Sequence, residues 1–593
     1  MARSRLGRAA RHATPPRAGG AGAVASTEVL SLAGPRWRPR TPWAVWRDLS
    51  RPARWGVLAT AVLALAYLVV FARLLPIGVG DLAIAAVFST DEALSGQIVR
   101  RMLLDHTLSP GHFFAYGALY HELAALILVP FTWFGAGERA ALVGLRAVAL
   151  VSGVAVIVLT SWLGTRLYGA WAGVLAAALV ALSAELARWS VTAHPDTLQL
   201  ALITGCLIAV CAVRGRPDRR RITLAAALAG LAFGTKYAGV ALLPLIWLAS
   251  AAALVADGLN GRRLLLRLAL DALLIGAVFA LVFAVTNPYA LIEWRRFITQ
   301  MRAELEHTQT GHVLASDTEG WRWLGVVASA EVAGSLAVFA AAAGWIAGVV
   351  GLTRRRATPR EPWWRTLAVR LTPQALVAIW TIGYMAYLVI TVRYQEPRYA
   401  LPLLPGIAVG AAGGIVALGR RWPRLAVLAG AAVLVLTAVP AAAALADVYR
   451  ERLDQRGVED NPRIAAGRWL GGNISPDAAV LADAYVYVPR TFNDQVITFG
   501  LTEAQVKAVR PVVIVVNDDI RGRFLDAADR VRYVDGTAAY DERAGAYARL
   551  EAGVLDCYRL LMDFGGVRVY GDRDALRAGE VQGCGPGRAR TIN

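Results

Sequence analysis

The sequence predicts an all-α polytopic membrane bundle of about eleven spans, followed by a small extracytoplasmic α/β domain at the C-terminus. Three observations carry this. The 593 residues are 56% hydrophobic and only 18% charged, too little charge to cover several water-soluble globules. Apolar runs long enough to cross a bilayer recur from Trp55 to about residue 446. The formal net charge of +19 is concentrated in an N-terminal tail and in short Arg clusters between those runs, the pattern of cytoplasmic loops.

Residues 1–54 carry 11 Arg against Glu28 and Asp48 and are rich in Pro and Gly, which predicts a disordered cytoplasmic tail. Trp55 to Leu75 then reads as a signal anchor, being too long for a cleaved signal core. Further spans are expected near 145–164, 171–187, 196–213, 222–234, 238–256, 268–286, 326–350, 374–392, 400–418 and 425–446. The segment Tyr116 to Phe134 is apolar but contains His121 and Glu122. Laid along the outer membrane surface rather than across it, it leaves Arg166, the loop RGRPDRRR (214–221), Arg262/Arg263, Arg354–Arg356 and Arg420/Arg421 on one side. This predicts a multi-pass protein of the cell (plasma or inner) membrane with its N-terminus cytoplasmic. The membrane domain covers 55–446, with outer loops at 76–144 and 287–325. The short spans on either side of GTKYAG imply a broken helix, which is tolerable at membrane depth only where it is buried in protein or lines a wet cavity.

Residues 447–593 differ in texture. They hold 20 basic and 22 acidic residues. Runs such as AAVLADAYVYV, RPVVIVVND, RVRYVDG and YRLLMDFGGVRVYGD alternate with helical stretches, which predicts the outer α/β domain. Within it, Asp518-Asp519 and VYVPRTF are read as structural. Cys206 and Cys211 sit in an apolar run and read as packed thiols. Cys557 and Cys584 share the outer domain, where both a disulfide and two free thiols stay open.

With this topology the polar residues fall on one face. Asp91 and Glu92 open the segment STDEALSGQIVRRMLLDHTL (89–108); Ser89 and Glu92 also fit a helix capping box, so a structural role stands beside a general base or metal ligand. His121 and Glu122 belong to an amphipathic juxtamembrane helix and are candidate acceptor or metal contacts. His194 and Asp196 lie at a span entry. Lys236, one of two lysines in the chain, sits with Tyr237 at the helix break as a compact charge. Arg398 follows a span end, where snorkelling is the plain alternative, and Arg295 and Arg296 open an interfacial helix. A divalent metal at His121, Glu122, His194 and Asp196 is admitted by residue type but supported by no fixed ligand spacing. No P-loop or dinucleotide fingerprint occurs. The basic charge lacks the aromatic-laced soluble face that nucleic-acid binding needs, so no nucleic-acid partner is expected. Spans nearly free of mid-depth charge disfavour ion-coupled transport.

In order and spacing these pieces resemble the bacterial GT-C glycosyltransferases that use polyprenyl-phosphate sugars, relatives of protein O-mannosyltransferases and of lipid A aminoarabinose transferases. The matching pieces are the Asp91-Glu92 pair opening the first outer loop, the juxtamembrane helix, a span ending in RLYG, and Ala187, Arg188 and Asp196 at the next outer entry. GLAFGTKY, RYALPLLP and RIAAGRWLGGNISPDAAVLADAYVYVP (463–489) complete the set, over roughly residues 55–490. Where such proteins carry an E-K-P-P-L loop, this chain has only YGALYHEL, without the Pro pair. The resemblance implies sugar transfer from a polyprenyl-phosphate donor to an acceptor hydroxyl at the outer membrane face, with inversion. Asp91 is then the base, backed by Glu92, and Lys236, Arg398, Arg295 and Arg296 are candidate phosphate contacts. His121, Glu122, His194, Asp196 and Tyr237 are then acceptor-side or supporting residues. The acceptor is a glycan, a lipid or a protein. A lipid or polymer transporter and a non-catalytic scaffold remain as alternatives, distinguished by substitution at Asp91.

Overall fold

A computed structural model describes residues 49–79, 81–132, 137–310, 318–353, 362–455, 460–533, 535–555 and 557–583. Most of the N-terminal tail, the cluster Arg354–Arg356 and Cys584 lie outside the described residues. Every predicted span is helical. Among the described residues eight helices are long and apolar enough to cross a membrane, or nine if the bent pair Ala170–Ala181 and Ala184–Ser190, which turns through 68°, is one span. The two other expected spans are a shorter helix and an interrupted run. Arg219–Thr235 stops after 17 residues at the predicted break. The 326–350 run is interrupted, with one helix ending at Ala328 and the next starting at Ser335.

The helix Leu119–Thr132 has 14 residues, about 21 Å at 1.5 Å per residue, short of a ~30 Å hydrocarbon core. It also begins and ends on the same side of the bundle. Its start is tied to Asn287 through Ala118, and Glu138, just beyond its end, binds Arg490 of the C-terminal domain. Described Arg clusters lie at the opposite end. Asp196–Gly215 begins at the site and ends at Arg214, Arg219–Thr235 begins in the same cluster and returns to Lys236, and Gly261–Thr286 begins beside Arg262/Arg263. The helices pack closely where glycines face each other. A Cβ on Gly344 would stand 2.4 Å from the Gly410 carbonyl oxygen and under 3 Å from the Gly414 backbone, so only hydrogen permits that approach.

The C-terminal domain holds one five-stranded sheet in the order β2-β1-β3-β5-β4. The strands are β1 Val480–Asp483, β2 Gln495–Thr498, β3 Val513–Asn517, β4 Tyr558–Asp563 and β5 Val567–Asp572. β1 pairs in parallel with β2 and β3, while β5 runs antiparallel to β3 and β4. The uniformly buried β1 and β3 match the continuous apolar runs of the sequence, as strands covered on both faces should. RVRYVDG departs from expectation. Asp526 caps a short helix, Ala527–Arg532, by accepting a hydrogen bond from Ala528 N, and that local bond outcompetes strand pairing. Cys557 is disulfide-bonded, whereas Cys206 and Cys211 are free and buried. Arg490 anchors the domain through Glu138 at 2.5 and 3.1 Å and Asp81 at 3.4 Å.

Candidate active site

Four separated segments meet at the end of the bundle that carries the C-terminal domain. The helix Thr90–Leu104 starts where Ser89 Oγ accepts the Glu92 amide at 3.2 Å, which puts Asp91 in its first turn. Asp196 opens the next contributing helix, directly after Pro195. Lys236 takes extended backbone between Arg219–Thr235 and the 3-10 turn Tyr237–Ala241, and its carbonyl accepts from Gln199 Nε2 at 2.9 Å. Arg398 lies in the 3-10 turn Pro397–Leu403, whose two prolines keep it from joining the following helix as regular α-structure.

Their side chains form a continuous chain of charge. Arg398 Nη1 donates to Asp91 Oδ2 at 3.2 Å and lies 3.3 Å from His194 Nε2. His194 Nε2 stands 3.5 Å from the same Asp91 oxygen, and its Nδ1 meets Asp196 Oδ2. Lys236 Nζ donates to Asp196 Oδ1 at 2.7 Å. Aromatic rings enclose the chain. Tyr116 and Trp189 flank the His194 ring at 5.0 and 4.9 Å, Arg398 lies over Trp189 at 4.7 Å, and Lys236 lies 5.4 and 5.2 Å from the Tyr116 and Tyr399 rings. Burial alone would raise the Asp91 carboxyl, but the His194 hydrogen bond and the charges of His194 and Arg398 outweigh it and hold Asp91 well below the usual carboxylate range.

Lys236, Arg398, Tyr116, Tyr399 and Asp196 border a cavity of about 780 Å³. Its remaining wall is mostly apolar, from Pro244, Leu245 and Leu248 to Ile379, Trp380, Tyr384 and Tyr387, with Glu304 and Thr308 from the helix Trp294–Thr310. The Nε of Arg398 is buried in this setting and has no hydrogen-bond partner. Asp91 is not part of the cavity lining, and its side chain is 35% exposed.

Several expected site residues stand elsewhere. Glu92 is buried and serves as a clamp: Arg146 donates to both its oxygens at 2.7 and 2.8 Å, Arg452 Nη1 donates at 3.2 Å and the Ala193 amide at 2.7 Å. The expected capping box is therefore only half made, because the Glu92 carboxylate turns away from the helix start. Arg295 and Arg296 are exposed and outside the cavity; Arg296 pairs with Glu293 at 2.8 Å and Arg295 stacks on Trp294. His121 bonds Ser95 at 3.2 Å and packs against Tyr120. Among the described residues no group of three His, Cys, Asp or Glu side chains is arranged to hold a metal ion. Tyr237 lines the cavity, but its hydroxyl donates to the Phe114 carbonyl at 2.7 Å, fixing the loop before the Leu119 helix against the helix break.

No family model and no curated protein matches the sequence. Solved structures do. ArnT from Cupriavidus metallidurans in the apo state aligns over 89% of this chain and 99% of its own length, at 17% identity and a TM-score of 0.50. This chain has the GT-C fold. Other similar structures are the same ArnT bound to undecaprenyl phosphate (16% identity, TM-score 0.48, 88% of this chain and 98% of that one) and the Archaeoglobus fulgidus oligosaccharyltransferase in the apo form (12%, 0.49, 82% and 72%). In this GT-C fold the broken helix at Lys236, the turn at Arg398 and the helix start at Asp91 all fall at one end of the bundle, beside the C-terminal domain.

Proposed function

We propose that this protein is an integral-membrane glycosyltransferase that moves a sugar from a polyprenyl-phosphate donor to an acceptor hydroxyl at the outer face of the membrane, with inversion. The observation that carries this reading is the pair of partly buried cations, Lys236 and Arg398, at the polar end of an otherwise apolar cavity. That combination suits an amphiphile with a long hydrocarbon tail and a phosphate head. The GT-C fold agrees with it.

The chemistry follows from charge. The acceptor oxygen attacks the anomeric carbon, the bond from that carbon to the phosphate oxygen breaks, and the electron pair leaves with the polyprenyl phosphate. The acceptor proton passes to Asp91. The leaving phosphate gains a negative charge as the bond breaks, and preorganised cations in a partly dry site stabilise that gain more than they stabilise the bound donor. Asp91 is held ionised by Arg398 and His194, so it can accept the hydroxyl's hydrogen bond and take its proton once the oxygen bonds to the anomeric carbon and becomes strongly acidic, and Asp196 fixes His194 and Lys236 together. Arg398 touches both halves of the site, which couples phosphate departure to the base.

The test is turnover of a radiolabelled polyprenyl-phosphate hexose by membranes holding wild type or Asp91→Asn. Removing a positioned general base is expected to lower the rate by about 10²- to 10⁴-fold, with undecaprenyl phosphate still bound. Equal turnover in both would refute Asp91 as the base. No consumption of the donor by folded wild type would refute the function.

A further inference from the structure

The cavity bordered by Lys236 and Arg398 also contains a carboxylate without a protein partner. Glu304 lines it and is half-buried, yet among the described residues it makes no hydrogen bond and no ion pair. The other charged groups of the lining each hold an opposite charge: Lys236 donates to Asp196 at 2.7 Å, and Arg398 to Asp91 at 3.2 Å. Their polar neighbours are matched as well. Gln199 donates to the Lys236 carbonyl at 2.9 Å and Thr308 Oγ1 to the Leu305 carbonyl at 2.8 Å.

The helix Trp294–Thr310 puts Glu304 there. Met301, Glu304, Leu305 and Thr308 all line the cavity, and their i, i+3, i+4, i+7 spacing is that of one helical face. That face is held on both sides of Glu304. Gln300 accepts from the Phe114 amide at 2.6 Å and donates to the His112 carbonyl at 2.8 Å, while the Thr308 carbonyl accepts from the Arg393 amide at 3.0 Å. Phe297 packs on Phe114 and Phe283, with ring centroids 6.3 and 5.7 Å apart. Glu306, two residues on, is exposed and outside the lining.

A carboxylate here works against a bound phosphate, because like charges repel strongly in a mostly apolar cavity. An ionised carboxylate can only accept hydrogen bonds. Of the three parts of a polyprenyl-phosphate sugar, the ionised phosphate also only accepts, the hydrocarbon does neither, and the sugar hydroxyls donate. The sugar is therefore the part that Glu304 can satisfy. A uronate sugar would bring a second carboxylate against it. Once the sugar has gone, the lipid is left as a phosphate monoester, more negative near neutral pH than the diester it came from, and the same carboxylate repels it.

We infer that Glu304 is a specificity-determining residue that accepts hydrogen bonds from hydroxyls of a neutral donor hexose, and that its charge favours sugar-bearing donor over spent polyprenyl phosphate. This rests on the glycosyltransferase reading above.

The experiment measures equilibrium binding to the purified full-length protein, without acceptor, of undecaprenyl-phosphate glucose, mannose, galactose and glucuronate and of undecaprenyl phosphate itself. Wild type is expected to prefer a neutral-sugar lipid to the glucuronate lipid. Glu304→Gln keeps the shape and loses the charge that makes the hydrogen bonds strong, so affinity for the preferred neutral-sugar lipid should fall about fivefold. Affinity for undecaprenyl phosphate should hold or rise, and that for the glucuronate lipid should rise. Glu306→Gln should leave every affinity within about twofold. Because Glu304 holds no protein partner, Glu304→Gln should melt with wild type. An unchanged ratio of neutral-sugar lipid to undecaprenyl phosphate affinity in Glu304→Gln, an equal loss for both, or a wild type that prefers the glucuronate lipid overturns the inference with the glycosyltransferase reading intact. Wild type that binds none of these lipids overturns both.

Discussion

Glu92 and Asp91 are adjacent acids with opposite expected phenotypes, and Glu92→Gln is the sharper test of the structure. Glu92 is about 2% exposed at its side chain, Arg146 1% and Arg452 6%. One carboxylate therefore neutralises two buried guanidinium groups. Arg146 also donates to the Leu75 and Ile77 carbonyls at 2.9 and 2.5 Å, and Arg452 to the Val191 carbonyl at 2.7 Å. The clamp thus ties the end of the first span, the Asp91 helix, the loop before Asp196 and the last long helix. Gln removes the charge and turns an amide NH2 toward a guanidinium that needs an acceptor. Removing one partner of a buried pair costs about 3–5 kcal/mol. For a chain of this size, at roughly 2 cal/mol/K per residue, that is a fall of about 2.5–4 °C in melting temperature. The assay is tryptophan-fluorescence melting of detergent-solubilised protein. Burial pushes Glu92 upward, but the charges and hydrogen bonds of Arg146 and Arg452 hold it well below the usual carboxylate range. A depressed acid stabilises the fold above its unfolded pKa and loses that contribution only as pH falls through the folded one. The loss on Glu92→Gln is therefore expected to be the same at pH 5 and pH 9. A variant as stable as wild type, or a loss confined to one end of that range, would refute the clamp.

The remaining predictions separate positioning, binding and stability. Asp91→Asn should melt within about 1 kcal/mol of wild type, as expected for a partly exposed site, while turnover collapses; comparison of the two assays on one preparation checks it. Lys236→Gln removes a cation proposed to hold the phosphate and should weaken undecaprenyl phosphate binding about 10- to 100-fold, whereas Arg295→Gln and Arg296→Gln, outside the cavity, should leave it within about twofold, measured by equilibrium binding in detergent. Gly117→Ala would put a Cβ 1.9 Å from the Gly234 carbonyl oxygen, backbone that cannot step aside; a loss of about 1–3 kcal/mol is expected, together with weaker binding of undecaprenyl phosphate, because Gly117 and Ala118 hold the loop against the Lys236 break. Asp483 is buried and accepts from Tyr547 at 2.7 Å and the Asn517 amide at 3.0 Å, and burial pushes it up to about 7. An acid raised on folding binds its proton in the folded state, so the C-terminal domain should lose stability as pH rises from about 4 to 7, by about 4 kcal/mol in all; amide exchange of β1 and β3 in the full protein should accelerate from pH 5 to 8 beyond the intrinsic pH effect, and Asp483→Asn should abolish the excess.

The sequence made the spans and the gathering of polar residues legible because both depend on local composition. Arg clusters marked one end of the bundle, and the residues left at the other end include Asp91, His194, Asp196, Lys236 and Arg398, which the structure joins. The break at Lys236 was visible because two half-length apolar runs flank a Gly-Thr-Lys. What escaped depends on partners distant in sequence. Arg146 lies in the apolar run AALVGLRAVALV, and a buried guanidinium there demanded an acid, but nothing local distinguished Glu92, 54 positions earlier, from Asp91 beside it. Helical geometry decides between them. Consecutive residues are 100° apart on a helix, so one faces the bundle and the other its rim. The ring wall of Tyr116 and Tyr399 was not legible, because an aromatic belt and a ring wall around two cations have the same composition.

The same logic explains why the C-terminal domain was recognisable as a fold but silent about its role. Strand periodicity reports burial, and β1 and β3 are buried as their runs imply. How the sheet meets the bundle depends on its strand order and on single side chains such as Arg490, neither of which periodicity encodes. A sheet docked by any other edge would need the same apolar runs. Arg490, gripping Glu138 and Asp81 from the C-terminal domain, ties that domain to the bundle beside the Asp91 helix, and on the proposed function Arg490→Ala should raise the fraction of donor lost to water without touching a group that contacts either substrate. Unchanged partition in that variant would mean that the seam between domain and bundle is held by packing alone.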